Sequence, residues 1–132
     1  MIIVLTTGTF DPLHIGHLYH LEAALKMGDM LTVAVTSDES VRRQKGHERP
    51  VFSAAERAEM LRALRIVSRV IVVDDALEAL YAVEPGIFAL GQEYEERVEP
   101  QHRAFCDLHK VKIAFTHGKV YSSTKLLAHY AR

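Results

Sequence analysis

The chain has 132 residues, of which 48% are hydrophobic and 25% charged, and its formal net charge is −1. That is about one domain's worth of chain with enough apolar content for a real core. The near-neutral charge excludes a whole-molecule basic field that would draw the protein to nucleic acid or a membrane surface, so an anionic partner must be met locally.

Cys106 is the only cysteine, which excludes an intrachain disulfide framework and fits a reducing compartment. Its helical context marks it as a small buried hydrophobe rather than a nucleophile. Strand-like residues follow Met1 directly with no basic n-region, so no secretory signal is expected. No apolar run approaches the ~20 residues of a membrane helix, and the expectation is a soluble, cytoplasmic protein without nucleic-acid or membrane partners.

In chain order, Ile2 to Leu5 is a first strand and Gly8 to His17 the loop behind it. Leu18, Leu21 and Leu25 recur at helical spacing, and Gly28 marks the stop. Met30 to Val35 is a second strand. Ser37 to Arg49, polar and basic, reads as a short helix and a mobile loop. Ser53 with Glu56 is a capping box before a helix whose buried stripe is Ala58, Leu61 and Leu64, and on which Arg57 and Arg65 share a face. Val70 to Val73 is a third strand, continuous in the manner of one covered on both sides. Asp75 with Glu78 repeats the capping logic for a helix carrying Leu77 and Leu80, ended by Pro85-Gly86. Ile87 to Leu90 forms a fourth strand closed by Gly91. Pro100 interrupts the segment after it, giving an irregular portion and then a helix through about Leu108. Val111, Ile113 and Phe115 alternate in a fifth strand, and a last helix runs from Ser122. Alternating strands and helices predict one doubly wound, five-stranded parallel sheet of α/β class, a single domain over 1–132. Right-handed crossovers bring the loops after strands one, four and five to one sheet edge.

The first loop stands where helix-start N–H groups and the dipole favour phosphate. It lacks both the dinucleotide fingerprint and the P-loop pattern. Instead it offers His14 and His17 three apart, on one side of a first helical turn, with Gly16 between them to let a phosphate approach the backbone. Such imidazoles can donate to phosphate oxygens without a full ground-state charge. Two plainer readings stand beside this one: a surface histidine pair, and a metal site using His14, His17 and His20, for which no Cys or Asp/Glu with ligand spacing is at hand.

Gly8-Thr9-Phe10-Asp11 followed by His14-x-Gly16-His17 resembles the signature of the nucleotidyltransferase superfamily that includes the cytidylyltransferases. The likeness extends to the basic stretch ending in Lys45, to Arg57 and Arg65, and to Ser122-Ser123-Thr124. It is greatest to the glycerol-3-phosphate cytidylyltransferases and to the adenylyltransferase domains that form ADP-heptose; the run Lys45-Gly46-x-x-Arg49-Pro50-Val51 resembles the second more. The resemblance implies transfer of CMP or AMP from an NTP, with Mg²⁺, to a small phosphorylated polyol or sugar, with release of pyrophosphate, by a homodimer. An acceptor phosphate is already ionised and attacks the α-phosphorus without a general base, so catalysis is positioning and charge neutralisation.

By the same resemblance, His14, His17 and Lys45 are catalytic, and Thr9 and Phe10 offer backbone N–H groups to the nucleotide. Gly8, Gly16, Arg65, Gly91, Ser122, Ser123 and Thr124 complete the nucleotide site. Asp11 and Arg43 meet the acceptor; for Asp11 a turn residue before Pro12 is the plain alternative, for Arg57 an ordinary helix-surface charge. The chain departs from the cytidylyltransferase pattern at His117 and Val120, where an Arg and a Gly are usual, and at Gln92 and Glu93, where an acidic pair is usual. Lys119 and Gly118 are candidate replacements. Phosphopantetheine and nicotinamide mononucleotide adenylyltransferases rank lower, because Lys125 to His129 lacks their Arg. A nucleotide-binding sensor without turnover is the non-catalytic alternative.

Overall fold

The computed structural model describes residues 1–118 and 123–130, apart from the side chains of 126, 129 and 130. Five strands, β1 (Ile3–Gly8), β2 (Met30–Thr36), β3 (Arg69–Val73), β4 (Ile87–Gly91) and β5 (Lys112–Thr116), form one sheet in the order β3-β2-β1-β4-β5. Every pairing is parallel. The helices are α1 (Ile15–Leu25), α2 (Asp38–Lys45), α3 (Ala54–Arg62), α4 (Ala76–Val83), α5 (Pro100–His109) and α6 (Ser123–Tyr130). The expected α/β sheet is present with each strand where the apolar runs placed it.

Strand residues alternate between two cores because successive side chains point to opposite faces. Val4, Val33 and Val35 pack with Leu21 and Ala24 of α1 and Ala58 and Leu61 of α3. Leu5, Ala34 and Phe88 pack with Ala79 and Leu80 of α4 and Phe105 and Cys106 of α5. Helices thus cover both faces, and the continuous apolar runs follow from that. The helix after β1 goes to one face and the helix after β4 to the other. Between these neighbouring strands a crevice opens at their carboxyl ends, the switch point of the winding.

The short helix expected after Ser37 is present over 38–45, capped by Ser37 accepting from Ser40 N, while some other local details differ. The irregular portion expected after β4 is followed by α5, which Pro100 opens at its first turn, where its missing N–H costs nothing. Asp75 caps α4, yet the Glu78 carboxylate takes Asp74 N at 2.8 Å rather than the N–H of the cap itself. Most consequentially, α3 stops at Arg62 with Ala63 as its cap, so Leu64 and Arg65 lie beyond it and Arg57 and Arg65 share no helical face. Ser68 N donates to Leu31 O at 2.9 Å, which puts this segment at the amino end of the strands.

Candidate active site

The site begins with two histidines that cap a helix with each other. His14 is the N-cap of α1, its backbone extended, and its Nδ1 accepts from Gly16 N at 3.1 Å. His17 Nδ1 accepts from His14 N at 3.2 Å. The sequence logic of a capping box is therefore met by imidazoles, and the rings stack with centroids 3.7 Å apart. A ring nitrogen that accepts a backbone N–H carries no proton, so each neutral ring holds its proton on Nε2. Burial, then the neighbouring His14, His20 and Lys45, pull the His17 pKa down to about 3; burial also lowers His14. Both rings are thus neutral donors near pH 7.

Phe10 fixes the pair from beneath. Its ring meets His17 edge-on at 4.9 Å, and its φ of 52° holds the loop in the left-handed region. A Cβ on Gly8 would sit 2.9 Å from that ring, so glycine is what lets the loop fold back over its own strand. His20, one turn on, bridges Thr6 Oγ1 of β1 at 2.7 Å and Thr116 Oγ1 of β5 at 2.6 Å. Burial lowers its pKa, opposed by Glu93.

The loop's other end is clasped by charge. Asp11, only 1% exposed, accepts from Val51 N at 2.7 Å, Phe52 N at 2.9 Å and Arg49 Nε at 3.1 Å. Burial pushes its carboxyl up, but the Phe52 and Val51 amides and Arg49 together hold it below the ordinary value. Arg49 also donates to Asp11 O and to Thr124 Oγ1, while Ser123 Oγ donates to Pro12 O at 3.0 Å, so the start of α6 is tied to the first loop. Arg57 is fully buried. It donates to the carbonyls of Thr9, Thr36 and Phe52 and, at 2.8 Å, to Asp38.

Phe10, Asp11, His17, His20, Ser123 and Thr124 border a cavity of about 530 Å³ over the β1/β4 crevice, reached also by Lys45 and Gly91. Desolvation and then Arg49 lower the Lys45 pKa, Asp11 raises it and Arg57 lowers it. A smaller pocket of about 150 Å³ adjoins it, bordered by His14, Gly16, His17, Gln92, Thr116 and His117. Among the described residues no group of three His, Cys, Asp or Glu could hold a metal, and His20 of the suggested histidine triad is engaged by two threonines.

A family model described as cytidylyltransferase-like matches residues 5–127. The chain belongs to that family. Among its relatives is the bifunctional protein HldE of Campylobacter fetus subsp. fetus, 43% identical over 93 residues, 69% of this chain and 20% of that protein. HldE of Geotalea uraniireducens is 43% identical over 99 residues, 73% of this chain and 20% of that protein. The chain thus spans about a fifth of the length of these curated relatives. The crystal structure of the lipopolysaccharide core biosynthesis protein from Thermoplasma volcanium superposes with a TM-score of 0.74 at 32% identity, covering 91% of this chain and 99% of that one. A pantothenate synthetase from Thermus thermophilus, at 13% identity and a TM-score of 0.61 over 94% of this chain and 58% of that one, shares the fold alone.

In this cytidylyltransferase-like domain the structure gathers most of the sequence-predicted set. Gly8, Thr9, Phe10, Asp11, His17, Lys45, Gly91, Ser123 and Thr124 border the main cavity, and His14 and Gly16 the adjoining pocket. Three of the set are placed differently. Arg65 is exposed beyond α3, on the segment at the amino end of the strands, because α3 starts at the site and carries the chain away from it. Arg43 points away, its side chain 62% exposed and paired with Glu39 at 3.3 Å. Asp11 borders the cavity, but its carboxylate is occupied by the 49–52 segment rather than open to an acceptor. Ser122, Lys119 and Val120 lie outside the described residues. Sequence reasoning missed Arg49 and the burial of Arg57. The spacing of the run ending in Arg49-Pro50 was the available signal for the first; nothing local signals the second.

Proposed function

We propose that this domain transfers a nucleoside monophosphate from an NTP to the phosphate of a small phosphorylated sugar or polyol. An acceptor phosphate oxygen forms the new bond to the α-phosphorus as the bond to the bridging oxygen breaks, and pyrophosphate leaves with that electron pair. The observation that carries the reading is the stacked, neutral His14/His17 pair at the start of α1, with His17 bordering the cavity that Lys45 and Thr124 share and His14 the pocket that adjoins it. Donors fixed before the substrate arrives stabilise charge developing on phosphate oxygens without reorganising. No proton needs to be taken from an ionised phosphate, which suits a site whose histidines are held neutral and whose one carboxylate in the loop is occupied. Mg²⁺ enters as part of the triphosphate substrate. In keeping with the family resemblance, the reading includes a cytoplasmic setting and a homodimer.

Between the two acceptor classes, the likeness to a lipopolysaccharide core biosynthesis protein favours a sugar phosphate, with the adenylyltransferases that form ADP-heptose as the specific form and a glycerol-3-phosphate cytidylyltransferase as the second reading. The test is pyrophosphate release with each of the four NTPs crossed against heptose, hexose and pentose phosphates and glycerol 3-phosphate. Release with one nucleotide and one acceptor class is expected. Nucleotide binding without release for any pair would leave a sensor in place of an enzyme.

A further inference from the structure

The proposed chemistry has not used His20, yet its ring joins two strands that are not neighbours. In the order β3-β2-β1-β4-β5, β4 separates β1 from β5. Adjacent strands stand about 4.8 Å apart, so the ends of β1 and β5 are about 10 Å apart, a gap that no pair of threonines closes. His20 spans it. Its Nε2 lies 2.7 Å from Thr6 Oγ1 on β1 and its Nδ1 2.6 Å from Thr116 Oγ1 on β5, and both threonines are buried. Between them β4 ends at Gly91, the register partner of Thr116.

This bridge stands where the two cavities meet. Thr6 borders the larger and Thr116 the smaller, while His17, His20, Gly91 and Glu93 border both. Thr116 runs directly into His117 and Gly118, which line the smaller pocket, and His20 follows His17 by three residues on α1, on the same side of the helix. The direction of the two bonds can be assigned. Burial lowers the His20 pKa against the pull of Glu93, so near pH 7 the ring is neutral, with one N–H and one bare nitrogen. The Thr116 hydroxyl directs its own proton to Leu90 O, 3.5 Å away, and therefore receives the proton of Nδ1; Nε2 accepts from the Thr6 hydroxyl. That is the tautomer opposite to the one held by His14 and His17.

We propose that His20 is a positioning residue for nucleotidyl transfer: a strut, protonated on Nδ1, that runs from Thr6 to Thr116 across the end of β4 and holds the segment after β5 at a fixed distance from His17. The inference rests on the nucleotidyltransferase reading above and concerns how that site is held in shape. Both ring nitrogens are engaged within the chain, so His20 hands no proton to a substrate. Its contribution is geometric. Catalysis by fixed donors tolerates little displacement, and a misplacement of about 1 Å costs about 10²-fold in rate. Without the strut, the pocket wall formed by Thr116, His117 and Gly118 is free to shift relative to His17.

The strut is tested first in the unliganded wild-type protein. Long-range proton–nitrogen NMR spectra should show His20 in one tautomer with its proton on Nδ1, opposite to His14 and His17; a ring averaged between tautomers, or protonated on Nε2, would overturn the inference. Turnover is the second arm, with the best NTP and acceptor from the panel and well below each variant's melting temperature. His20→Leu should lower kcat about 10–10²-fold and leave the acceptor KM unchanged. Thr116→Val, which breaks one end, should act in the same direction, and the double variant should be no slower than the slower single one, because both remove the same strut. His20→Gln, whose amide offers one donor and one acceptor, should recover most of the rate. A merely structural His20 would lower the melting temperature and leave kcat of the folded protein near wild type. That result, additive losses in the double variant, or no recovery in His20→Gln would each sink the proposal. Absence of pyrophosphate release from the wild type with every pair would instead defeat the transferase reading itself, while the tautomer remains readable in the spectra.

Discussion

The two walls of the cavity are built on different terms. On the α1 side the scaffold groups are committed within the chain: His14 and His17 together cap α1 through their Nδ1 atoms, Asp11 holds two amides and Arg49, and Arg57 ties together three carbonyls and Asp38. On the α5 side His102 Nε2 has no hydrogen bond. Charge stabilisation works best from dipoles that do not move, and the internal network on the α1 side gives the proposed phosphate site such dipoles. On the α5 side fewer polar groups are tied to distant segments: Gln101 pairs with Glu99 two residues away and Arg97 with Glu93 four away.

Arg57→Met should show the largest stability effect and sharpen the contrast most. Arg57 is fully buried but its partner Asp38 is 36% exposed, so the main cost is that of the three carbonyls left without their donor, about 1–3 kcal/mol. Urea unfolding should record a drop of that size; a loss under about 1 kcal/mol would mean that Arg57 does not organise the loop.

His17→Asn comes next, with a rate effect instead of a folding one. The amide can keep the hydrogen bond to His14 N but not the ring Nε2–H, so kcat should fall about 10²–10³-fold with a melting temperature close to wild type. The same variant carries a pH signature. The unfolded chain protonates His17 near 6.5 whereas the folded chain does so only at about 3. Between those values the unfolded state binds the additional proton, so stability is full above 6.5 and declines as the pH falls towards 3. Asp11, also lowered, adds its loss below the ordinary carboxylate value. Stability measured across pH 6.5 to 4 should slope less steeply in His17→Asn, and an unchanged slope would remove His17 as its source.

Arg65→Ala gives the smallest effect. An exposed arginine at the amino end of the strands should shift stability by less than about 0.5 kcal/mol and leave the NTP KM unmoved in steady-state assays. A raised NTP KM would bring Arg65 back to the site and break the division between the walls.

Much of this was legible in the residues. Val70 to Val73 and Ile87 to Leu90 read as strands because burial on both faces leaves continuous apolar runs, and Ser53 with Glu56 announced α3 through a local hydrogen-bond pattern. The signature loop was legible because its residues lie within ten consecutive positions. Arg57 and Arg65 were not distinguishable by the same means. Both are arginines spaced as if on one helix, yet one is fully buried and the other exposed, because the helix ends at Arg62. Asp11 likewise reads as a turn or binding residue until the 49–52 segment is seen folding onto it.

The sequence by itself determined the α/β class and the place of the signature loop, since each depends on periodicity or on neighbours a few positions apart, and the reaction type came with the family resemblance that the loop's residues carry. Only the tertiary structure decided which charged groups are scaffold and which face the cavity. That depends on segments some forty to one hundred residues apart, Asp11 with Val51 and Phe52, Ser123 with Pro12, meeting at one sheet edge. Burial there, and not residue type, sets whether a charge is committed to the fold or left for a ligand.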